Sequence, residues 1–334
     1  MLSLPAMLAI PSPTQRTASS MSTSPPVVPV AQQIQAATSG VLAVHEPGLA
    51  TLVVTGEDRV AWLNGLLTCD LLKRAAGTAV YGLAVTRNGR VLADLDVLFD
   101  ERASPGQLLI AVSRTVVDAL RAHFDHYLVM EDAEVSAGAF DAWSLHGAGS
   151  PEALVTARSA GAVGGSLDRT GLGGAFLLAP AERADDVRAA LAEVATLGDE
   201  AGWDALRLER AVPRFGVDFD DKTYPQEAGL ERTAISFDKG CYLGQEVVCM
   251  LELRGHVKRK LASLVIEALE PPARGVAVTD EAGTAVGEVT SASGSPSLGL
   301  RKSVALAMVK RAQAEPGQRV MVGGARAEVV ARPA

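Results

Sequence analysis

The chain has only three cysteines in 334 residues, Cys69, Cys241 and Cys249, and no Cys-x-x-Cys pair. Three thiols at those spacings build neither a multi-disulfide framework nor a cysteine-rich zinc site. No apolar run reaches the roughly 18 residues that a membrane-spanning helix needs. Basic charge is in deficit: 31 Lys and Arg against 39 Asp and Glu leave a formal net charge of −8. That balance argues against a protein that coats nucleic acid with its whole surface. Aromatics are 4% of a chain that is 48% hydrophobic, so Ala, Val, Leu and Gly must build the core. The length suggests about two domains, enough to bury a full core without covalent staples.

Residues 1–40 lack nearly all charge, with Arg16 alone among six Pro and eleven Ser and Thr. Such a composition buries little, and 1–40 is expected to be a disordered extension. Pro5, Pro11 and Pro13 interrupt its apolar part and no basic segment opens it, so it does not read as a secretory signal. It is poor in Arg for an organellar transit peptide, and a true start at Met21 suits the sequence equally well. The expected location is the cytoplasm, with the mitochondrion as the alternative.

From Val41 the pattern becomes regular. Val41–Glu46 and Ala50–Thr55 alternate as short strands, and Thr55-Gly56-Glu57-Asp58 opens a helix. Ala79–Thr86 and Val91–Phe99 are strands joined through Asn88-Gly89, a strong hairpin signal. Leu108–Val112 follows as strand, Arg114–Tyr127 as amphipathic helix and Val135–Leu145 as one further strand. Beyond it, helices are expected at Pro151–Ala160, Ala181–Ala195 and Glu200–Arg210, with a Gly-rich loop over Gly161–Gly174 and a strand at Ala175–Leu178. After Arg254 the chain turns to short β-like runs separated by Gly and Pro, the pattern of a small barrel. The expected units are 41–253, in two α+β lobes of about 41–150 and 151–253, and a barrel over 254–334.

The densest stretch of informative residues is Lys239-Gly240-Cys241-Tyr242-Leu243-Gly244-Gln245-Glu246. It presents a thiol on a Gly-flanked turn, beside a lysine and ahead of a helix from about Leu243. Both neighbours favour the thiolate. The same residues also read as a buried structural cysteine on a tight turn, and both readings stand at this level. Cys69 and Cys249 have no such setting. His123 and His126 share a helix face without accompanying carboxylates, and His45 and His146 read as lone structural histidines, so no metal is expected. The Gly-rich loop has no GxxxxGK[ST] and is not a phosphate cradle.

This eight-residue run resembles the signature of the YgfZ/GcvT-like folate-binding family, and Arg254-Gly255-His256-Val257-Lys258-Arg259-Lys260-Leu261 is similar to the tail that follows it. Upstream, Leu63 to Asp70, Tyr81 to Asp94, Leu206-Arg207-Leu208-Glu209 and Pro225 to Leu230 resemble further family segments, as does Gly287 to Ser291 downstream. The resemblance thus covers about 41–330. It implies an α+β fold of three lobes in a ring, closed by the small barrel, with tetrahydrofolate bound near the centre. The signature Cys marks the YgfZ branch, which implies an accessory role for iron–sulfur enzymes, with folate and iron–sulfur clients or assembly proteins as partners. A stable cluster on the chain is not expected, since one Cys cannot supply the four thiolates usual for it. Neither nucleic acid nor membrane is expected as a partner, and a monomer is the default.

The resemblance also assigns residues. Cys241 is the required thiol. Asp94 matches the second acid of a pair found in the aminomethyltransferase branch, while Ala93 stands where the first would be. Asp96 lies two residues on, and both acids also suit a solvent-facing strand edge. Glu209 is expected to accept two N–H bonds from the pterin edge, or else to be a surface acid paired with Arg207 or Arg210. Tyr81 is expected to stack on the pterin or to fill core. Arg254 and Lys258, in the one dense basic cluster, suit the glutamate tail of folate. One-carbon transfer by an aminomethyltransferase and a scaffold without folate are the alternative functions.

Overall fold

The structure, a computed structural model, describes residues 28–75, 77–253, 255–299 and 302–332. The 28–40 stretch is folded, against the expectation of disorder: α1 (Val30–Ser39) buries Gln33, Ile34 and Ala37. Its polar anchor explains why composition misleads here. Gln33 donates to the Asp199 carboxylate and accepts the Asp199 backbone N–H, both at 3.0 Å. Asp199 in turn accepts the Gly202 N–H at 2.9 Å and so caps α6 (Glu200–Glu209). The rest of the expected disordered segment, 1–27, lies outside the described residues.

Two five-stranded sheets form the first two lobes. One sheet has the order β3 (Val80–Val85), β4 (Val91–Asp100), β5 (Gln107–Ser113), β2 (Leu49–Thr55), β6 (Glu134–Gly138), antiparallel throughout. Apolar side chains on its outer face pack with Trp62 and Leu63 of α2 (Arg59–Asn64) and Leu120 and Phe124 of α3 (Val117–His126). The other sheet runs β10 (Thr196–Gly198), β1 (Leu42–His45), β7 (Phe140–His146), β9 (Gly174–Pro180), β8 (Val163–Ser166). It is covered by α4 (Ser150–Ser159) and α5 (Ala184–Val194) through Ala153, Leu154, Val187 and Leu191.

These sheets correct three expectations. The strand read over Val135–Leu145 is two strands, β6 and β7, which leave the chain at Ala139 for different sheets. Hydropathy runs on across that point and hides the break. The lobe boundary therefore falls near 139, not 150, and β1 belongs to the second lobe, where it pairs with β7 and β10. The Gly-rich loop contains β8, whose glycines fit where a Cβ has no room: at Gly165 it would lie 2.3 Å from the Ala79 nitrogen.

Leu98, Leu109 and Ala111 of the first sheet meet Ala142, Phe176 and Leu178 of the second in a shared apolar layer. Burial of this kind contributes about 25 cal/mol per Å². Segment 210–244, with the short α7 (Pro225–Ala228), crosses the end of that layer and packs Phe219, Leu230 and Tyr242 on Leu83 and Val85. After α8 (Gln245–Leu253) the chain closes a six-stranded barrel in the order β11 (Arg259–Ile266), β14 (Ser303–Lys310), β13 (Ala285–Gly294), β12 (Ala277–Thr279), β15 (Arg319–Val322), β16 (Ala325–Val330). The barrel seats on α6 through Leu208, Leu261, Val304 and Leu306. No helix among the described residues is long and apolar enough to cross a membrane.

Candidate functional site

A cavity opens where the two sheets meet α6 and the segment after it. Its polar wall comes from Glu46 after β1, Tyr81 of β3, Asp94 and Asp96 of β4, Ser144 and His146 of β7, and Arg169 after β8. Strand register explains the grouping. In the β3–β4 hairpin Tyr81 lies opposite Asp96 and Leu83 opposite Asp94, which sends these side chains to one face. β4 is an interior strand, so the acids face the cavity rather than a solvent-exposed edge. Tyr81 donates its hydroxyl hydrogen to Asp94 at 3.0 Å, and the Arg169 guanidinium lies 4.0 Å above the Tyr81 ring. The loop that delivers Arg169 is pinned by Asp168, whose carboxylate accepts the N–H groups of Thr170, Gly171 and Gly173.

Three carboxyls, Glu46, Asp94 and Asp96, and three guanidiniums line the cavity; Arg207 and Arg214 are held by Asp204, Asp218 and Glu200, which leaves Arg169 among the three carboxyls. Burial pushes Asp94 and Glu46 above the usual carboxylate range, and Asp96 up to about 7, although Arg169 pulls all three down. The His146 ring stacks on Trp203 with centroids 4.4 Å apart and planes 7° from parallel. Burial, reinforced by Arg169, presses its pKa down to about 3 and keeps the ring neutral. Asp96 Oδ1 and His146 Nδ1 are buried without a hydrogen-bond partner. A buried acceptor left unmatched costs about 1–3 kcal/mol, so this wall suits a ligand that brings N–H groups.

A second cleft shares Tyr81, Leu167, Arg169 and Pro213 with the first and continues to Arg210, Arg232 and Arg332. Arg210 and Arg332 are oriented by backbone carbonyls, Arg210 by Thr170 and Arg332 by Gly229 and Leu261. Four guanidiniums face one carboxylate there, Asp168. The joined cavities thus present the carboxyls Glu46, Asp94 and Asp96 at one end and an excess of guanidiniums at the other.

The signature turn is built separately. Lys239 is buried, and its Nζ donates to the carbonyls of Asn64, Leu67 and Cys69 at 2.6, 2.8 and 2.5 Å. Burial lowers its pKa to about 8. Gly244 adopts φ +78°, and a Cβ there would lie 2.4 Å from the Thr86 carbonyl oxygen in the β3–β4 hairpin. Tyr242 is buried against Leu83 and Val85. These anchors hold the turn while Cys241 stands exposed on it. The alternative of a buried structural cysteine therefore falls to Cys69 instead, which is buried and pushed up to about 12.

Comparison with known proteins agrees with this architecture. The family described as glycine cleavage T-protein C-terminal barrel domain matches residues 259–334. A tRNA-modifying protein YgfZ from Sodalis glossinidius is 32% identical over 241 residues, covering 68% of this chain and 72% of its own. An aminomethyltransferase from Thermotoga neapolitana is 30% identical over 293 residues, covering 79% and 77%. The glycine cleavage system aminomethyltransferase T structure from Bartonella henselae superposes with a TM-score of 0.78 at 19% identity, over 91% of this chain and 89% of that one, which shows the fold. The chain belongs to the YgfZ/GcvT-like folate-binding family.

Placed in this YgfZ/GcvT-like fold, the residues expected from sequence part company. Tyr81 and Asp94 line the acidic cavity. Arg169 covers one face of the Tyr81 ring, and the ring packs in a buried cluster with Leu83 and Phe219, the core-filling alternative of the two expected for it. Glu209 is not in this cavity. Its carboxylate accepts the hydroxyls of Ser295 and Ser297 at 2.7 and 2.6 Å and the Ser297 N–H at 3.1 Å, tying α6 to a barrel turn. Neither Arg207 nor Arg210 pairs with it: Arg207 bonds Asp204 and Asp218 at 2.6 and 2.8 Å. Cys241 and the remaining motif residues Gly240, Gln245 and Glu246 are outside the cavity wall. Lys239 spends its ammonium on carbonyls and not on Cys241. Arg254 lies outside the described residues. Lys258 is exposed ahead of β11, and Arg259 and Lys260 pair with Glu227 and Glu231 at 3.0 and 3.4 Å. Among the described residues no His, Cys, Asp and Glu group could hold a metal.

Sequence reading did not single out Glu46, Ser144, Arg169 or Trp203, and set His146 aside as structural. A signal existed for Arg169, a charged residue behind an Asp in a Gly-rich loop. None existed for the others, because β1, β7 and α6 converge only in the folded sheet.

Proposed function

We propose that this protein binds tetrahydrofolate in the joined cavities and serves as an accessory factor for iron–sulfur enzymes. The observation that carries the folate half is the pairing of a cavity that presents three carboxyls with a cationic cleft through a common wall of Tyr81, Leu167 and Arg169. A reduced pterin carries N–H donors at one end, and the glutamate tail of the same molecule carries carboxylates at the other. Carboxyls at Glu46, Asp94 and Asp96 suit the first, and Arg210, Arg232 and Arg332 suit the second.

Exposure of Cys241 on a turn anchored by Lys239, Tyr242 and Gly244 supports the accessory half, since a thiol held outward is presented to a partner rather than to the cavity. The relatives named tRNA-modifying suggest that a client enzyme works on tRNA. The chain itself, at −8, with Arg259 and Lys260 already paired, is poorly suited to holding the nucleic acid.

Calorimetric titration with tetrahydrofolate tests the first half, and absence of binding removes it. For the second, iron–sulfur enzyme activities are assayed under oxidative stress in cells lacking the protein, with wild type or Cys241→Ala restored. Full rescue by Cys241→Ala defeats the thiol role. Turnover as an aminomethyltransferase is the second reading, favoured by Asp94 on the cavity wall. It requires methylenetetrahydrofolate to form from an aminomethyl-lipoyl carrier protein.

A further inference from the structure

Three groups on the cavity wall form a hydrogen-bonded row. Ser144 Oγ donates to Glu46 Oε1 at 2.8 Å, and His146 Nε2 lies 3.1 Å from the same serine oxygen. A serine hydroxyl has one hydrogen to give. With Glu46 ionised beside Arg169 and taking that hydrogen, only lone pairs remain for His146, so Nε2 carries the hydrogen of the neutral imidazole. Nδ1 is then a bare acceptor, and it is buried without a partner. Trp203 fixes the plane of the ring, and the contact of Nε2 with Ser144 fixes which edge carries Nδ1. Asp96 Oδ1 is a second unpartnered buried acceptor of the same cavity.

Resting on the folate reading above, we propose that His146 is a specificity-determining residue that receives the N5–H or N8–H of the ligand ring, and Ser144 and Glu46 the positioning residues that set its tautomer, so that the cavity discriminates reduced from oxidised pterin. In the tetrahydro ring N5 and N8 both carry hydrogens. N3 and the 2-amino group carry hydrogens in both forms, so the discrimination falls on the N5/N8 edge: with that edge against His146, the fully oxidised ring offers only lone pairs and leaves the buried Nδ1 unmatched. Loss of one such buried match is worth about tenfold in affinity.

The test measures binding of tetrahydrofolate and of folic acid with equal glutamate number, anaerobically, to the full chain. Wild type is expected to prefer tetrahydrofolate by about tenfold or more. His146→Phe keeps an aromatic ring beside Trp203 and removes both nitrogens; Ser144→Ala frees the tautomer. Each is expected to collapse the preference toward unity while tetrahydrofolate still binds. Nitrogen-15 NMR of the histidines in the free wild type is expected to show His146 protonated at Nε2 only, a readout that needs neither ligand nor variant. Equal affinity of wild type for the two folates, an undiminished preference in both variants, or an Nδ1–H tautomer overturns this inference and leaves the folate reading standing. No binding of either folate to wild type overturns both.

Discussion

Ionising Asp96 inside the cavity costs the folded state free energy, because burial lifts its carboxyl to about 7 from an unfolded value of about 3.9. Below pH ~4 both states hold the proton and nothing is lost. Between ~4 and 7 the unfolded chain releases it while the folded chain keeps it, so this residue's contribution to stability falls as pH rises through that window. Asp96→Asn is therefore expected to stabilise the protein by about 1–3 kcal/mol at pH 8, with the gain vanishing near pH 4, as read by urea unfolding across pH. The same variant is expected to lose about tenfold in affinity for tetrahydrofolate. That opposition of stability and binding is the mark of a residue kept for a ligand. Lys239 is the contrary case: its ammonium satisfies three carbonyls, so Lys239→Met is expected to destabilise by about 2–3 kcal/mol in chemical unfolding. The motif announced Lys239 from sequence, but as a neighbour of Cys241. Only the fold shows that its amine faces the other way.

Among the elements, the signature turn shows which glycines carry conformation. At Gly244 the backbone sits at φ +78° and the hairpin carbonyl of Thr86 occupies the space of a Cβ, whereas a Cβ on Gly240 meets nothing within 4 Å. Gly244→Ala is expected to cost more than about 1 kcal/mol, and Gly240→Ala less than about 0.5 kcal/mol, in thermal or urea unfolding. A substantial loss at Gly240, or none at Gly244, contradicts this placement of the turn. Local pattern was legible for most elements: the Asn88-Gly89 hairpin and helices α3 to α6 appear near their expected bounds. It failed at Ala139, where two strands of like hydropathy adjoin, and at α1, where a polar Gln33 supplies the anchor. Periodicity reports which face of an element is apolar; it cannot report which sheet an element joins.

In the whole molecule, the barrel is fastened to α6 by one buried carboxylate. Asp218 accepts from Arg207 and from the Arg214 backbone N–H on one oxygen, and from Thr290 and Ser291 of β13 on the other. Arg207 is itself buried, so removing the charge of Asp218 leaves its guanidinium with the half-exposed Asp204 as its one counter-charge. Asp218→Asn is expected to destabilise by about 2–4 kcal/mol and to speed proteolytic cleavage between α6 and the barrel; unchanged protection would show that the apolar contacts and the Glu209 bonds to Ser295 and Ser297 suffice to seat the barrel. The acidic cavity and the Arg-lined cleft both depend on this assembly, since their walls come from both sheets, α6 and the segment that crosses them.

The sequence by itself determined the family, through the Lys239–Glu246 run, the barrel, through its short strands, and the exclusion of disulfide frameworks. These follow from contiguous residues, whose spacing survives in the chain. The tertiary structure alone decided that Glu46, Asp96, His146 and Arg169 share a cavity while Glu209 serves a barrel turn. Those groups lie up to 123 positions apart, from 46 to 169. Hydrophobic closure of two sheets brings them together, and it leaves no periodic trace at the polar positions it encloses.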